Sequence, residues 1–170
     1  LYKSQPPMGW FFFPLNRIGH KENAVQTYTG RCLCGQSHFT VDLESLDVYA
    51  CHCTICQKWS GGIAMYLEAC GQPMMDADAS DPAHFASSPR GERYFCSGCG
   101  CPLWIKLTDT ERYFIPWTLL EFNEVDRRRL ILAAEIYTET QPAFWRLTGQ
   151  YARLSGKEVE ELDNRCQFTY

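Results

Sequence analysis

The sequence predicts a mainly β fold, built of twisted antiparallel sheets with a short C-terminal helix. Three observations predict it. Most apolar residues fall in short alternating runs separated by Gly, Pro, Asp and Ser, the pattern of half-buried strands joined by turns. Seven of the ten cysteines fall in three tight clusters at the ends of such runs. Near the C-terminus, Ser155-Gly156-Lys157-Glu158 has the form of a helix capping box.

Residues 1–24 read as an N-terminal extension, with Pro6, Pro7, Pro14, Gly9 and Gly19 around the aromatic clump Trp10 to Phe13. The domain proper is expected over 25–170. Val25 to Thr29 reads as a strand broken by Gly30, and Cys32-x-Cys34 follows with Gly35 closing the turn. Ser37 to Leu43 alternates around Phe39, Val41 and Leu43, and Leu46 to Ala50 leads into Cys51-His52-Cys53-x-x-Cys56. Gly61-Gly62 separates that cluster from a strand over Ile63 to Leu67. The polar, acidic stretch 71–84 reads as a surface loop, with a lid as the competing reading. Glu92 to Phe95 runs into Cys96-x-x-Cys99. Pro102 to Leu107 and Arg112 to Trp117 form a hairpin turning at Thr108-Asp109-Thr110. Arg127 to Arg129, flanked by acidic residues, reads as a solvated turn before a strand over Leu130 to Tyr137. Val159 and Leu162 give the final helix one apolar face.

A chain of 170 residues is sized for one domain with a core of its own. The net charge of −4 leaves no basic stripe of the kind a phosphate backbone needs, so no nucleic-acid partner is expected. No run approaches the ~20 apolar residues that span a bilayer, so no membrane partner is expected either. Trp10 to Phe13 ends at Pro14 and lacks the layout of a signal peptide. The expected partner is a small molecule.

Ten cysteines in a chain too large to need disulfide staples suit metal binding in a reducing compartment, with the cytoplasm as the expected location. Cys32, Cys34, Cys96 and Cys99 make two close pairs, the donor set of a closed tetrahedral zinc cage that staples an early loop to a late one. Cys51, Cys53 and Cys56 supply three thiolates, which leaves one zinc position for chemistry. Two zinc ions per chain are therefore expected, one structural and one catalytic. Two alternatives stay open for the triplet: a second structural zinc closed by His52 or another side chain, or a redox dithiol at Cys53-x-x-Cys56. His52 is an unlikely ligand for the same ion, because adjacent residues on an extended loop point apart. It is grouped with the triplet as a candidate catalytic residue acting by proton relay, against the plainer reading of a packed histidine.

Thr29-Gly30-Arg31-Cys32-Leu33-Cys34-Gly35, Cys51-His52-Cys53-Thr54-Ile55-Cys56-Gln57-Lys58-Trp59-Ser60-Gly61 and Arg93-Tyr94-Phe95-Cys96-Ser97-Gly98-Cys99-Gly100 resemble the glutathione-dependent formaldehyde-activating enzyme family, which also includes centromere protein V. Ser87-Ser88 and the stretch from Glu135 to Trp145 carry the same resemblance, which runs from about residue 27 to 146. It implies a structural zinc on Cys32, Cys34, Cys96 and Cys99 and a more labile catalytic zinc on Cys51, Cys53 and Cys56. It also implies an activity that joins formaldehyde to the glutathione thiol, classed as a carbon–sulfur lyase from the reverse direction. Cys101 stands where the family more usually has Ser or Thr. Were glutathione the thiol, Lys58, Arg90 and Arg93 would be candidate donors to its carboxylates. The same zinc site could instead eliminate, isomerise or cyclise another small electrophile, with Trp10 to Phe13, Trp59 and Trp117 lining an apolar pocket. A non-catalytic zinc interaction module is the remaining alternative.

Overall fold

The computed structural model describes residues 24–166, with side chains through Asp163. The expectations for residues 1–23, including the aromatic clump and His20, lie outside the described residues.

Eleven strands form two sheets. The smaller holds β1 (Gln26–Arg31), β2 (His38–Leu43) and β5 (Met74–Met75), in the order β1-β2-β5. The larger holds β3 (Asp47–Cys51), β4 (Ala64–Ala69), β6 (Pro82–Ser88), β7 (Gly91–Cys96), β8 (Pro102–Leu107), β9 (Arg112–Pro116), β10 (Ile131–Ile136) and β11 (Ala152–Leu154). Their order is β11-β10-β3-β4-β9-β8-β7-β6. The mainly β expectation holds, with one addition: β10 runs parallel to both β3 and β11. Those two pairings close contacts that no local turn can make, so nothing in the local sequence announces them.

The two faces of the large sheet have different tasks. Val48, Leu67, Leu103 and Ile115 pack with Phe39, Val41 and Leu43 of the small sheet into the main core. Phe39, Leu67, Leu103 and Ile115 are wholly buried. Each such side chain stabilises the fold by about 1.5–3 kcal/mol relative to exposure. The opposite face carries a second cluster, with Cys51, Cys56, Ala64, Tyr66 and Ile105. Strand alternation creates this division: in β4, Tyr66 turns to the second cluster while Leu67 turns to the main core.

Several local expectations are corrected. Gly30 does not break β1; it lies inside the strand. A Cβ there would stand 2.7 Å from the Phe39 ring, so the residue is small to let the strand lie flat on the core. The stretch 71–84 contains β5 and the start of β6. β6 is an edge strand with an exposed middle, so it lacks the alternation that would reveal it, and Pro82 sits at its first position, where no ladder donor is needed. The acidic residues of that stretch give His38 the partners that sequence did not supply: Asp76 Oδ2 lies 2.7 Å from Nδ1 and Asp78 Oδ1 lies 3.6 Å from Nε2. Trp117 ends no strand but opens a 3-10 turn, Trp117–Leu119, and packs on the main core.

Three helices complete the described chain: α1 (Thr54–Ser60), α2 (Glu124–Arg129) and α3 (Gly156–Cys166). α2 replaces the expected turn at the three arginines, which remain exposed; the signal for it is Asn123, whose Oδ1 accepts from Asp126 N–H at 2.8 Å. The capping box of α3 is as expected. Ser155 Oγ accepts from Glu158 N–H at 3.4 Å, and Glu158 Oε2 accepts from Ser155 N–H at 2.8 Å. No described helix is long and apolar enough to cross a membrane.

Candidate functional site

The three cysteine clusters fold into two groups of sulfurs. The β1–β2 turn brings Cys32 and Cys34 against Cys96 and Cys99 of the β7–β8 turn. Cys32 Sγ lies 3.5 Å from Cys34 Sγ, which lies 3.7 Å from Cys96 Sγ. A disulfide would require about 2.0 Å. Tetrahedral zinc with Zn–S bonds of about 2.3 Å places its sulfurs about 3.8 Å apart, so these residues fit that ion well. Ser37 N–H donates to Cys32 Sγ at 3.3 Å. Cys32 and Cys96 are buried in the main core, whereas Cys34 and Cys99 face outward.

The second group is Cys51, Cys53 and Cys56, whose sulfurs all lie within 4.8 Å of one another. Cys51 ends β3. Cys53 caps α1, its Sγ accepting from Cys56 N–H at 3.3 Å, and the first turn of α1 swings Cys56 back towards the other two. Gly61, with φ of 68°, ends the helix in the left-handed conformation. α1 is missing from the sequence reading because it is short and a sulfur stands where Ser or Asp would mark the cap. The helix start that a redox dithiol would use is thus present, but β3 and β4 around it are antiparallel, not a βαβ unit.

The triplet is electrostatically crowded. Hydrogen bonds from Cys51 and Cys56 hold Cys53 as a thiolate, with its pKa lowered to about 2. The Cys51 thiol is pushed well above its ordinary range by its hydrogen bonds to Cys53 and Cys56 and by burial. Three sulfurs this close repel one another as thiolates, and a cation bound among them relieves that repulsion.

The triplet borders a cavity of about 320 Å³ on the second face of the large sheet. That is at the lower end of the range for small-molecule sites. Tyr66, Ile105, Leu107, Phe114 and Ile136 line much of it. Ser87, Ser88 and Gly91 add a polar edge, and Tyr137, Val159 and Asp163 come from the segments after β10. Arg90, Arg93 and Arg112 all reach it. Arg112 makes two bonds to Glu68, at 2.6 and 2.9 Å, and a third to Asp163 Oδ1 at 2.8 Å. Arg90 pairs with Asp109 and lies 3.9 Å from Asp163 Oδ2. Asp163 thereby ties α3 to the sheet beside the cavity.

Among the candidate donors, Arg93 is 4% exposed and donates through Nη2 to Cys56 Sγ at 3.4 Å. Lys58 is exposed and, with Trp59 and Trp117, is not among the cavity-lining residues. Trp59 instead packs edge-on against Phe95. The acidic stretch 71–84 does not border the cavity.

His52 lies apart from the cavity that its neighbours Cys51 and Cys53 line. It is wholly buried, with Nε2 3.0 Å from Glu135 Oε1. Gln141 Nε2 donates to the same oxygen at 3.2 Å, and Arg153 binds the other. Thr140 Oγ1 and Gln57 Nε2 donate to the His52 carbonyl. Burial, seconded by the Arg153 charge, lowers the His52 pKa, so the ring is neutral. This place behind the loop suits holding the triplet's backbone, not a direct exchange of protons with a ligand in the cavity. The structure thus sets His52, grouped with the triplet by sequence, behind the loop and outside the cavity lining.

Glu68 and Arg112 were given no site role by sequence, and Glu135 and Tyr137 entered only within the stretch that carries the family resemblance. Their signal was available: Glu68 and Glu135 are lone charges inside otherwise apolar strands.

The uncharacterized lyase C29B12.13 of Schizosaccharomyces pombe is 33% identical over 89 residues, covering 52% of this chain and 64% of that protein. The chain thus aligns with under two thirds of that relative's length. A crystal structure of a Rhodobacter sphaeroides protein matches with a TM-score of 0.48 at 18% identity, over 74% of this chain and 98% of that one. The model of the glutathione-dependent formaldehyde-activating enzyme family matches residues 27–140, which contain both sulfur groups, all of β1 but its first residue, and every strand from β2 to β10. The chain belongs to the glutathione-dependent formaldehyde-activating enzyme family.

Proposed function

We propose that this protein is a zinc-dependent carbon–sulfur lyase or synthase acting on a thiol–carbonyl adduct, in the manner of an S-(hydroxymethyl)glutathione synthase. One observation carries the reading: three clustered cysteine sulfurs border a largely apolar cavity. Cys51, Cys53 and Cys56 would hold the catalytic zinc, and Cys32, Cys34, Cys96 and Cys99 the structural one. Zinc at the triplet supplies a Lewis acid that ionises a thiol or polarises a carbonyl near neutral pH. The chain's own residues do the rest. The apolar wall excludes water and strengthens every charge interaction inside it. The Arg93 guanidinium offsets negative charge on Cys56. The cavity holds thiol and carbonyl together, and that proximity lowers the barrier to joining them. The partner is a small molecule, and a reducing cytoplasm keeps the thiolates available.

A second reading shares the site but changes the substrate. Arg90 and Arg112 are already paired with carboxylates of this chain, which leaves fewer free cations than the two carboxylates of glutathione would ask for. A less polar thiol or another small electrophile fits that wall better. Exchange spectroscopy of isotopically labelled formaldehyde and glutathione, with and without the zinc-loaded protein, separates the two. A faster interconversion supports the first reading. No acceleration by protein holding two zinc ions moves the substrate to the second.

A further inference from the structure

Four buried side-chain nitrogen or oxygen atoms among the described residues meet no hydrogen-bond partner: His52 Nδ1, Trp104 Nε1, Thr110 Oγ1 and Arg93 Nη1. Only Arg93 among these residues also lines the cavity. Its guanidinium is otherwise thoroughly fixed. Nε donates to Ser87 Oγ at 3.0 Å, Nη2 donates to Cys56 Sγ at 3.4 Å, and the group lies 5.5 Å from the Trp59 ring centre. The Tyr66 hydroxyl also interacts with the guanidinium, by charge and by a side-chain hydrogen bond, yet Nη1 itself meets no acceptor in hydrogen-bond geometry. Unlike Arg90 and Arg112, Arg93 makes no ion pair with a described carboxylate. Leaving a buried donor unpaired is costly. A guanidinium fixed by Ser87, Cys56 and Trp59, with one buried donor unmet in a residue that lines the cavity, is placed to serve a ligand acceptor.

We infer that Arg93 is a catalytic residue: its Nη1 donates to the oxygen of the substrate's carbonyl as that oxygen becomes an alkoxide. This rests on the thiol–carbonyl reading above. In the forming direction, the thiol's proton leaves to solvent and the thiolate sulfur attacks the carbonyl carbon. The C–S bond forms, and the π pair of the C=O bond moves to oxygen. Arg93 meets that charge with a donor already in place, and water then protonates the oxygen to give the hydroxyl. The sum is one thiol and one aldehyde giving one S-hydroxyalkyl thioether, with no oxidant or reductant. The reverse cleavage uses the same contact. Donors of this kind are worth about 10²–10³ in rate.

The test uses the full chain loaded with zinc and three probes: formate (oxygen without sulfur), propane-1-thiol (sulfur without oxygen) and thioglycolate (both). Side-chain guanidinium resonances are followed by proton–nitrogen NMR, with Arg93 assigned by its loss in Arg93→Lys. Affinities are measured by calorimetry. Formate and thioglycolate are expected to shift the Arg93 resonances saturably, whereas propane-1-thiol leaves them in place. Thioglycolate should bind at least about tenfold more tightly than propane-1-thiol, the size of a charge-assisted hydrogen bond. Arg93→Lys, which keeps a cation near Cys56, should lose that preference. Were this variant to lose zinc, the wild-type resonances would decide alone. Binding of propane-1-thiol with Arg93 silent to formate and thioglycolate would overturn the inference and leave the thiol reading standing. Arg93 responding to formate while no thiol binds would sustain Arg93 as an oxygen donor and sink the thiol reading.

Discussion

The two sulfur groups use one side chain at similar spacing, in opposite surroundings. Cys32, Cys34, Cys96 and Cys99 join two turns from two different sheets, and none of them lines the cavity. Cys51, Cys53 and Cys56 come from one strand end and the first turn of one helix, and all three line it. The first group connects parts of the chain that nothing local holds together, so a metal there stabilises the fold. The second connects only neighbours, so a metal there adds little to the fold and is free to serve a ligand. A fourth sulfur closes the first group, and a buried arginine stands beside the second.

The largest test breaks the first group. Cys96→Ala removes a fully buried sulfur from the core and opens the cage. Its thermal midpoint should fall by about 10 °C or more, with one zinc lost, as scanning calorimetry and metal analysis would show. A midpoint within a degree or two of wild type would erase the contrast between the groups. The second test breaks the triplet. Cys53→Ala should lose one zinc and at least about 10³-fold in turnover while the midpoint moves by only a few degrees. Retained turnover would remove the chemical role from the triplet.

The third test sharpens the comparison by touching the triplet's support and no ligand. His52→Ala deletes a buried ring and the Glu135 contact, at a cost of about 2–3 kcal/mol in chemical denaturation. It should weaken zinc at the triplet about 10–100-fold in competition with a chromophoric chelator, while zinc at the cage is unchanged. Equal weakening at both would mean that His52 supports the fold at large. The smallest effect is expected at the helix beside the cavity. Ser155→Ala removes the α3 cap at a cost of about 1 kcal/mol, read as faster hydrogen exchange over residues 156–163 with both zinc ions retained.

Much of this was legible in the chain. The alternation of Phe39, Val41 and Leu43 announces β2, and Ser155 with Glu158 announces α3, because strand pleat and helix capping are local properties. The sulfur groups were legible because a metal needs close pairs of one rare residue type. What stayed hidden depends on contacts distant in sequence. The parallel run of β10 beside β3, and with it the burial of Glu135 against His52, follows from how the chain returns across the sheet. β6 and β11 lie at the two edges of the large sheet and do not bury an alternating face. The engagement of Arg90 and Arg112 by Asp109, Glu68 and Asp163 brings together residues from four separate stretches, so the sequence shows only Arg90 and Arg93, with Lys58, near the clusters.

The most direct test of the division between the groups is a stepwise chelation of the two-zinc protein, following metal content, circular dichroism and thiol–carbonyl exchange together. The account predicts that the first zinc leaves under mild chelation and takes the activity with it while the fold persists, and that the second leaves only as the fold is lost. Loss of the fold with the first zinc, or full activity after its removal, would contradict it.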